Sequence, residues 1–421
     1  MFKSNQLFFK NFSIYFLGLF LSGLISFMTI PLIVKIYGVE KYGDFSLVQN
    51  VILILISFGG GWLNQCVLRF NNFSYKFKIG IFQLSFIILI PLSLICFGII
   101  KLIGNNFWIS LIGVLTLIFG SISVLLITFY QSKSNAKKSI FFDFIRIFSF
   151  VFCIYGLSYL FKEVDSLSLL IVSFFLSYLI SFLFLLRIDY RFIVVSIKIF
   201  LKQLNLKKIS NLINENNHLI SYGWPIALWF TISAILNISD RYIISYYLTD
   251  NDLGTYSAIY DLLYKGVTLV YSPVLVAGYP IMAQKFNQGF KKDAFRFLKK
   301  LILFEILIFA FIIVVSYFYK SFFIEQIVCI PLTSSSVGLV LPIVTGAFIW
   351  QLAMLVHKPL EFELKTVTML LFISIALLFN VGLNFLFIPH FGILFAAYST
   401  LFSATVYLGL SAFKIRSLNQ V

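Results

Sequence analysis

Charged side chains and the usual residues of soluble active sites are scarce in this sequence. Only 11% of its 421 residues are Asp, Glu, Lys or Arg. The four cysteines form no C-x-x-C pair, and the three histidines have no second ligand at i+3 or i+4, so a metal site is not indicated. The sequence contains neither G-x-x-x-x-G-K-[ST] nor G-x-S-x-G, the motifs of nucleotide binding and of serine hydrolysis. We therefore expect no cofactor, no catalytic residues and no enzymatic activity.

Hydrophobic residues dominate the chain instead. They make up 60% of it, and the mean hydropathy is +0.99. A soluble protein of this length could not bury so much apolar surface in one core. The net charge of +16 suggests nucleic acid, but the Lys and Arg residues lie in short connections between apolar stretches rather than on a soluble face. We predict an all-α integral membrane protein that contacts membrane lipid and binds no nucleic acid.

Apolar stretches long enough to cross a bilayer recur along the whole chain. A transmembrane helix needs about 20 apolar residues. On this criterion the sequence predicts twelve spans, at roughly 12–36, 45–68, 79–100, 107–130, 141–161, 167–187, 219–248, 254–278, 301–319, 337–356, 367–388 and 391–413. The seventh is interrupted by Asp240 and Arg241, and the last two are separated only by the turn Pro389-His390-Phe391-Gly392.

The basic residues predict the orientation of these spans. Most of the 32 Lys and Arg residues fall in alternate loops, whereas the opposite side holds only Lys35, Lys41, Lys101, Lys162 and Lys320. Positively charged loops stay in the cytoplasm. Both termini are therefore predicted to be cytoplasmic.

A basic connection divides the predicted spans into two sets of six. The predicted organisation is an N-terminal lobe at 1–187, a cytoplasmic linker at 188–218 that either forms an amphipathic helix or stays a solvated connection, and a C-terminal lobe at 219–421. The segment 35–46 of the first half is echoed by 245–257 of the second, both containing Tyr-x-x-acidic and Gly-x-aromatic-Ser. An offset of six spans keeps the orientation, which predicts two six-helix lobes related by a parallel pseudo-two-fold repeat, as in transporters.

Four charges inside the seventh and eighth spans are the main candidate site. Asp240 and Arg241 are adjacent, so one of them can reach across to the next span, and Asp261 and Lys265 share one face at i, i+4. Ionisable residues inside a membrane are costly and mark functional sites by default. Two interpretations stay open: neutralising pairs that hold two helices together, or a cationic site in which Lys265, and after it Arg241, holds an anionic headgroup.

Three further polar residues are weaker candidates for a cavity. Arg146 lies at i+3 from Asp143 near the inner end of the fifth span, where it either guards an entrance or pairs locally. Asn380 and Asn384 lie on one face of the eleventh span, a pattern that favours interhelical hydrogen bonds over ligand contacts.

An ordered set of motifs resembles one known family, the Wzx-type O-antigen and polysaccharide flippases. The resemblance covers nearly the whole chain. Its segments are Pro31-Leu32 followed by Tyr37-Gly38-Val39-Glu40-Lys41-Tyr42-Gly43, then Ser221-Tyr222-Gly223-Trp224-Pro225, Ser239-Asp240-Arg241-Tyr242-Ile243-Ile244, Leu253-Gly254-Thr255-Tyr256-Ser257, and Asn380-Val381-Gly382-Leu383-Asn384 through Ile388-Pro389-His390-Phe391-Gly392.

The resemblance implies an exporter of the multidrug/oligosaccharidyl-lipid/polysaccharide superfamily in the bacterial inner membrane. Its cargo would be an undecaprenyl-diphosphate-linked O-antigen repeat unit, flipped to the periplasmic leaflet by alternating access for lipopolysaccharide biosynthesis, with a polysaccharide polymerase and a chain-length regulator as partners. The alternatives are a cation-coupled multidrug or small-molecule exporter of the same superfamily, a polysaccharide polymerase, which would need a long external loop, and a structural partner in an assembly complex.

Overall fold

The computed structural model describes residues 2–70, 75–132, 136–161, 164–202, 206–363 and 365–419, and within these ranges the chain is helical almost throughout with no β-strand. The sixteen α-helices of the described ranges are α1 Phe2–Tyr37, α2 Val39–Ile56, α3 Trp62–Phe70, α4 Tyr75–Leu102, α5 Phe107–Ser132, α6 Ala136–Leu160, α7 Ser166–Lys202, α8 Leu206–Glu215, α9 Asn217–Leu236, α10 Ser239–Tyr247, α11 Asp250–Asn287, α12 Lys291–Phe322, α13 Ser334–Val356, α14 Lys358–Phe362, α15 Thr366–Phe391 and α16 Ile393–Asn419.

The predicted membrane architecture is confirmed. Among the described residues, eleven helical segments are long and apolar enough to cross a membrane. The predicted eighth span falls within α11, a helix of 38 residues that carries Asp261 and Lys265 and is not among those eleven. Length and composition therefore support eleven of the twelve predicted spans, and the eighth is a long helix that carries two intramembrane charges.

Contacts divide the chain into two compact units, Met1–Ser26 with Leu47–Thr231 and Phe27–Ser46 with Ile232–Val421. In the first unit α5 and α6 pack against α7, and α4 packs against α5. In the second unit α13 packs against α11, α12 and α16, and α15 packs against α16. These units differ from the predicted lobes at two places, because 27–46 packs with the C-terminal half and 219–231 with the N-terminal half.

The two echoed segments explain why residues 27–46 belong to the second unit. Ser46 Oγ donates a hydrogen bond to Ser257 Oγ at 3.2 Å, and both residues are fully buried. A Cβ on Gly43 would lie 2.8 Å from the backbone nitrogen of Gly254. Each residue therefore contacts its own counterpart in the repeat, which is the contact pattern at a two-fold axis.

The seventh span is two helices rather than one. α9 ends at Leu236, a turn at Asn237 and Ile238 follows, and α10 begins at Ser239. Asp240 consequently lies in the first turn of α10, where a negative charge interacts favourably with the helix dipole.

Two other connections refine the predicted boundaries. Pro389 does not end its helix: α15 continues to Phe391, and Gly392 with φ +66° makes the reversal into α16. The predicted linker 188–218 is largely helical, because α7 continues past a kink at Asp189 to Lys202 and α8 follows. The side chains of Lys202, Lys207 and Lys208 lie outside the described part, so the amphipathic interpretation stays a prediction.

Candidate functional site

Helix α10 and the first half of α11 bring together the four charged residues of the predicted site. A capping box starts α11: the Thr249 hydroxyl accepts from the Asp252 backbone N–H, and the Asp252 carboxylate accepts from the Thr249 backbone N–H. This cap reverses the chain after α10, so the two helices lie side by side within the second unit.

Arg241 is the residue that reaches across from α10 to α11. Its side chain is only 1% exposed, and its two terminal nitrogens donate to the two carboxylate oxygens of Asp261 at 3.1 and 2.5 Å. The guanidinium also lies over the Tyr260 ring, 5.4 Å from its centroid. Tyr42, from the segment preceding Ser46, donates its hydroxyl to Asp261 at 2.5 Å. Such a bidentate pair neutralises both charges and fixes the orientation of the guanidinium.

Asp240, the neighbour of Arg241 in the chain, is fully buried. Its carboxylate accepts from the Tyr256 hydroxyl, from the Arg241 backbone N–H at 2.9 Å and from Thr400 Oγ1 at 3.3 Å. Among the described residues it has no ion-pair partner within 4 Å. Its hydrogen bonds thus join α10 to α11 and α16.

Asn380 and Asn384 continue this polar network into α15. Ser239 donates to Asn380 Oδ1 at 2.8 Å, Asn384 donates to the same oxygen at 3.1 Å, and Ser399 donates to Asn384 Oδ1. Both asparagines are fully buried. The bonds from Ser239 and Ser399 are the interhelical hydrogen bonds that the spacing favours, and the Asn384–Asn380 bond lies within α15. No surface is left on either asparagine for a ligand.

Lys265 differs from the other charges in its accessibility. It is half-buried, and it interacts electrostatically with Asp261, one helical turn earlier on α11. Asp240 and Arg241, in contrast, are 0% and 1% exposed. Of the two cationic candidates in these helices, Lys265 is therefore the one with surface available to a ligand.

Arg146 belongs to the first unit and is held locally. Its guanidinium donates to Asp143 at 2.7 Å and lies 5.3 Å from the centroid of the Tyr178 ring. The local pair expected at i, i+3 is therefore present. About a quarter of the Arg146 side chain stays exposed.

Sequence reasoning missed three hydroxyl groups of the site, on Tyr42, Tyr256 and Thr400. Tyr42 and Tyr256 lie in the two echoed motifs, and that repetition was the available signal. Thr400 lies within the last span without any distinguishing pattern. Within the described residues, no group of three or more His, Cys, Asp or Glu side chains could hold a metal ion.

Comparisons with known proteins agree with this architecture. The family model for polysaccharide biosynthesis proteins matches residues 8–286. No curated protein matches the sequence. Among solved structures, an inward-facing multidrug resistance MATE family transporter of the MOP superfamily has a TM-score of 0.68 at 10% identity, covering 98% of this chain and 95% of its own.

Two further structures share the fold. Lipid II flippase MurJ in an inward closed conformation has a TM-score of 0.67 at 14% identity, with 96% of this chain and 87% of MurJ covered. A MOP superfamily transporter from Pyrococcus furiosus, described as having a binding pocket of reverse polarity, has a TM-score of 0.61 at 10% identity, with 98% and 97% covered.

Proposed function

The chain belongs to the polysaccharide biosynthesis protein family, and from that membership we propose that it is a flippase for lipid-linked oligosaccharides and not an enzyme. Its cargo is an undecaprenyl-diphosphate-linked repeat unit of O-antigen or another surface polysaccharide. It moves this unit from the cytoplasmic to the periplasmic leaflet of the bacterial inner membrane by alternating access, with both of its own termini in the cytoplasm. The fold shared with a lipid II flippase supports this proposal. A polysaccharide polymerase and a chain-length regulator act on the delivered units.

The cargo's diphosphate sets the physical problem that the protein must solve. Moving an unpaired anion into hydrocarbon is prohibitively costly, so the path must supply a cation that the anion can reach. Arg241 cannot meet this need in the conformation described, because it is 1% exposed and both carboxylate oxygens of Asp261 already bind it.

Lys265 is half-buried where Arg241 is fully buried, and this partial exposure is the observation that carries the proposal. The Arg241–Asp261 pair joins α10 to α11 one turn before Lys265, and Tyr42 holds the same carboxylate. These contacts fix the face of α11 on which the Lys265 ammonium lies. We propose that the ammonium contacts the diphosphate during transport, while Asp240, Arg241 and Asp261 keep its helix in place.

Replacement of Lys265 tests this role. Lys265→Ala should lower surface polysaccharide roughly tenfold or more, because a hydrogen bond to a charged group is worth about 1.5–3 kcal/mol and each 1.4 kcal/mol is about tenfold. Lys265→Arg retains the charge and should retain most of the activity. Lys299→Ala, on the exposed face of α12, is the matched control. Normal polysaccharide from a correctly inserted Lys265→Ala protein would overturn the role of this residue.

Deletion of the gene tests the transport step itself. A flippase defect leaves complete repeat units on undecaprenyl diphosphate in the cytoplasmic leaflet, where glycosidases added from outside cannot reach them. A polymerase defect leaves single units in the periplasmic leaflet instead. Accumulation on the periplasmic side, or no accumulation while drug export is lost, would exclude the proposed function.

A further inference from the structure

Glu305 is a buried acidic side chain in the middle of α12, a helix most of whose side chains are not buried. It is 1% exposed, whereas its neighbours Phe304 and Ile306 on α12 are exposed. The carboxyl group therefore lies on the inner face of α12, which packs against α11 and α13. An acid in this position has no contact with water to offset its burial.

The helices around Glu305 are closely packed. A Cβ on Gly278 of α11 would lie 2.5 Å from Leu301 Cδ1 of α12, one turn from Glu305. Tyr271 of α11 donates its hydroxyl to the backbone oxygen of Glu305 at 3.3 Å. On α13 the Phe348 ring stacks on Phe309 with centroids 4.0 Å apart. The surroundings are largely aromatic, and helix movement is needed to bring water to the carboxyl.

No charged or hydrogen-bonding group neutralises Glu305 within the described part of the chain. Its Oε2 atom has no hydrogen-bond partner there, and no cation lies within ion-pair distance. On α11 the titratable group that contacts Glu305 is Tyr271, and Lys265 and Asp261 lie about 9 and 15 Å farther along that helix. His357 follows the end of α13 and lies 3.3 Å from the Tyr407 hydroxyl. Lys299 and Lys300 are exposed. A carboxylate buried in this way is far more costly than the neutral acid.

A line of polar residues on α11 connects Glu305 with the candidate site. Asp261 and Lys265 are followed on the same face by Thr268 and then, farther around the helix, by Tyr271, over about 15 Å of helix. Gln351 of α13 donates to Thr268 at 3.0 Å, and Tyr271 contacts Glu305. An ionisable residue inside a membrane marks a functional site by default, and proton transfer is one of the roles that such acids perform.

We propose that Glu305 is a proton-binding site that is exchanged during the transport cycle. In the packed conformation the side chain is the neutral acid. When α12 separates from α11, water reaches the carboxyl, the O–H bond breaks, and the proton passes to that water; repacking takes one proton back. The binding of the proton stands on the geometry of Glu305 alone, and its exchange during transport rests on the proposed flippase function.

Infrared spectroscopy of the purified full-length protein in lipid nanodiscs tests the first part without any cargo. At neutral pH the wild-type protein should show the C=O stretching band of a protonated carboxylic acid that Glu305→Gln lacks. Glu325→Gln, at an exposed position beyond α12, is the control and should retain the band. Should Glu305→Gln not insert, Glu305→Asp keeps the carboxyl and should shift the band. An unchanged band in these variants means that Glu305 is ionised, which overturns the proposal.

Proteoliposomes that contain a polyprenyl-diphosphate oligosaccharide and a trapped pH dye test the exchange. Wild-type protein should flip the lipid at a rate that depends on the imposed pH gradient, and Glu305→Gln should lose that dependence. A variant that keeps the full dependence would disprove exchange at Glu305. Wild-type protein that flips no lipid would count against the flippase function, while the infrared result would still decide proton binding.

Discussion

Removing one partner of the Arg241–Asp261 pair should destabilise the protein far more than removing both. Asp261→Leu leaves a guanidinium that is 1% exposed without the carboxylate that binds its two terminal nitrogens. Breaking a buried ion pair from one side costs about 3–5 kcal/mol, because the remaining charge is uncompensated. The Tyr260 ring under the guanidinium offsets about 2 kcal/mol of this at most.

Replacing Arg241 instead of Asp261 should destabilise the protein less. Arg241→Met leaves Asp261, whose side chain is 17% exposed, still hydrogen-bonded to Tyr42 and still near Lys265. We therefore expect the free energy of unfolding to fall by about 3 kcal/mol or less, the lower end of the same range. The double variant Arg241→Met/Asp261→Leu has no unpaired charge of this pair and should lie within about 1 kcal/mol of the wild type, since apolar replacements of buried pairs are often neutral.

Unfolding of the purified variants in one detergent or lipid mixture measures these differences. The control is the Lys291–Glu363 pair, whose side chains are 57% and 26% exposed and whose nitrogen–oxygen distance is 2.7 Å. Because exposed pairs contribute little, Lys291→Ala should cost less than about 1 kcal/mol. If the double variant lost as much stability as the two single variants together, the interpretation of the pair as a mutually neutralising support would be refuted.

Two further predictions concern the repeat contact and the orientation. Gly254→Ala should destabilise the protein by about 1–3 kcal/mol, because the new Cβ would lie 2.1 Å from the backbone oxygen of Val39. The control is Gly409→Ala, which has open space around it and should not destabilise the protein in the same unfolding assay. Cys329 is the exposed cysteine and the other three are buried, so a membrane-impermeant maleimide added to spheroplasts should label one site per chain and none in Cys329→Ser. Labelling of Cys329 only after permeabilisation would reverse the predicted orientation.

Sequence reasoning was most successful where the membrane itself constrains the chain. An apolar run of span length must form a helix in lipid, so the positions of most helices follow from composition alone. The pairing of α10 with α11 through Arg241 also follows, since an isolated charge there requires a partner. The break between α9 and α10 at Asn237 cannot be predicted from the sequence. The sequence there has the pattern of one apolar span, and the polar network around Ser239 is visible only in the structure.

The candidate site was predictable in its charges but not in its neutral partners. Tyr42 and Asp261 are separated by 219 positions, and no local pattern relates them. Thr400 likewise meets Asp240 from the last long helix. The role of Glu305 does not follow from the sequence, because Lys299 and Lys300 lie one to two turns before it and offer local partners, whereas in the structure both lysines are exposed and Glu305 is buried.

Helix α11 makes two different kinds of contact along its length. At its beginning Gly254 and Ser257 meet their counterparts Gly43 and Ser46 through small residues and one hydrogen bond, and tolerance for any added atom is low. Farther along, Tyr271 reaches Glu305 through one 3.3 Å hydrogen bond to the backbone, and the acid itself is unpaired among the described residues. Coupling between two sites requires an element that has two arrangements. We therefore expect the contact between Tyr271 and Glu305 to open when Lys265 binds an anion, and the contact of Gly254 and Ser257 with Gly43 and Ser46 to stay closed.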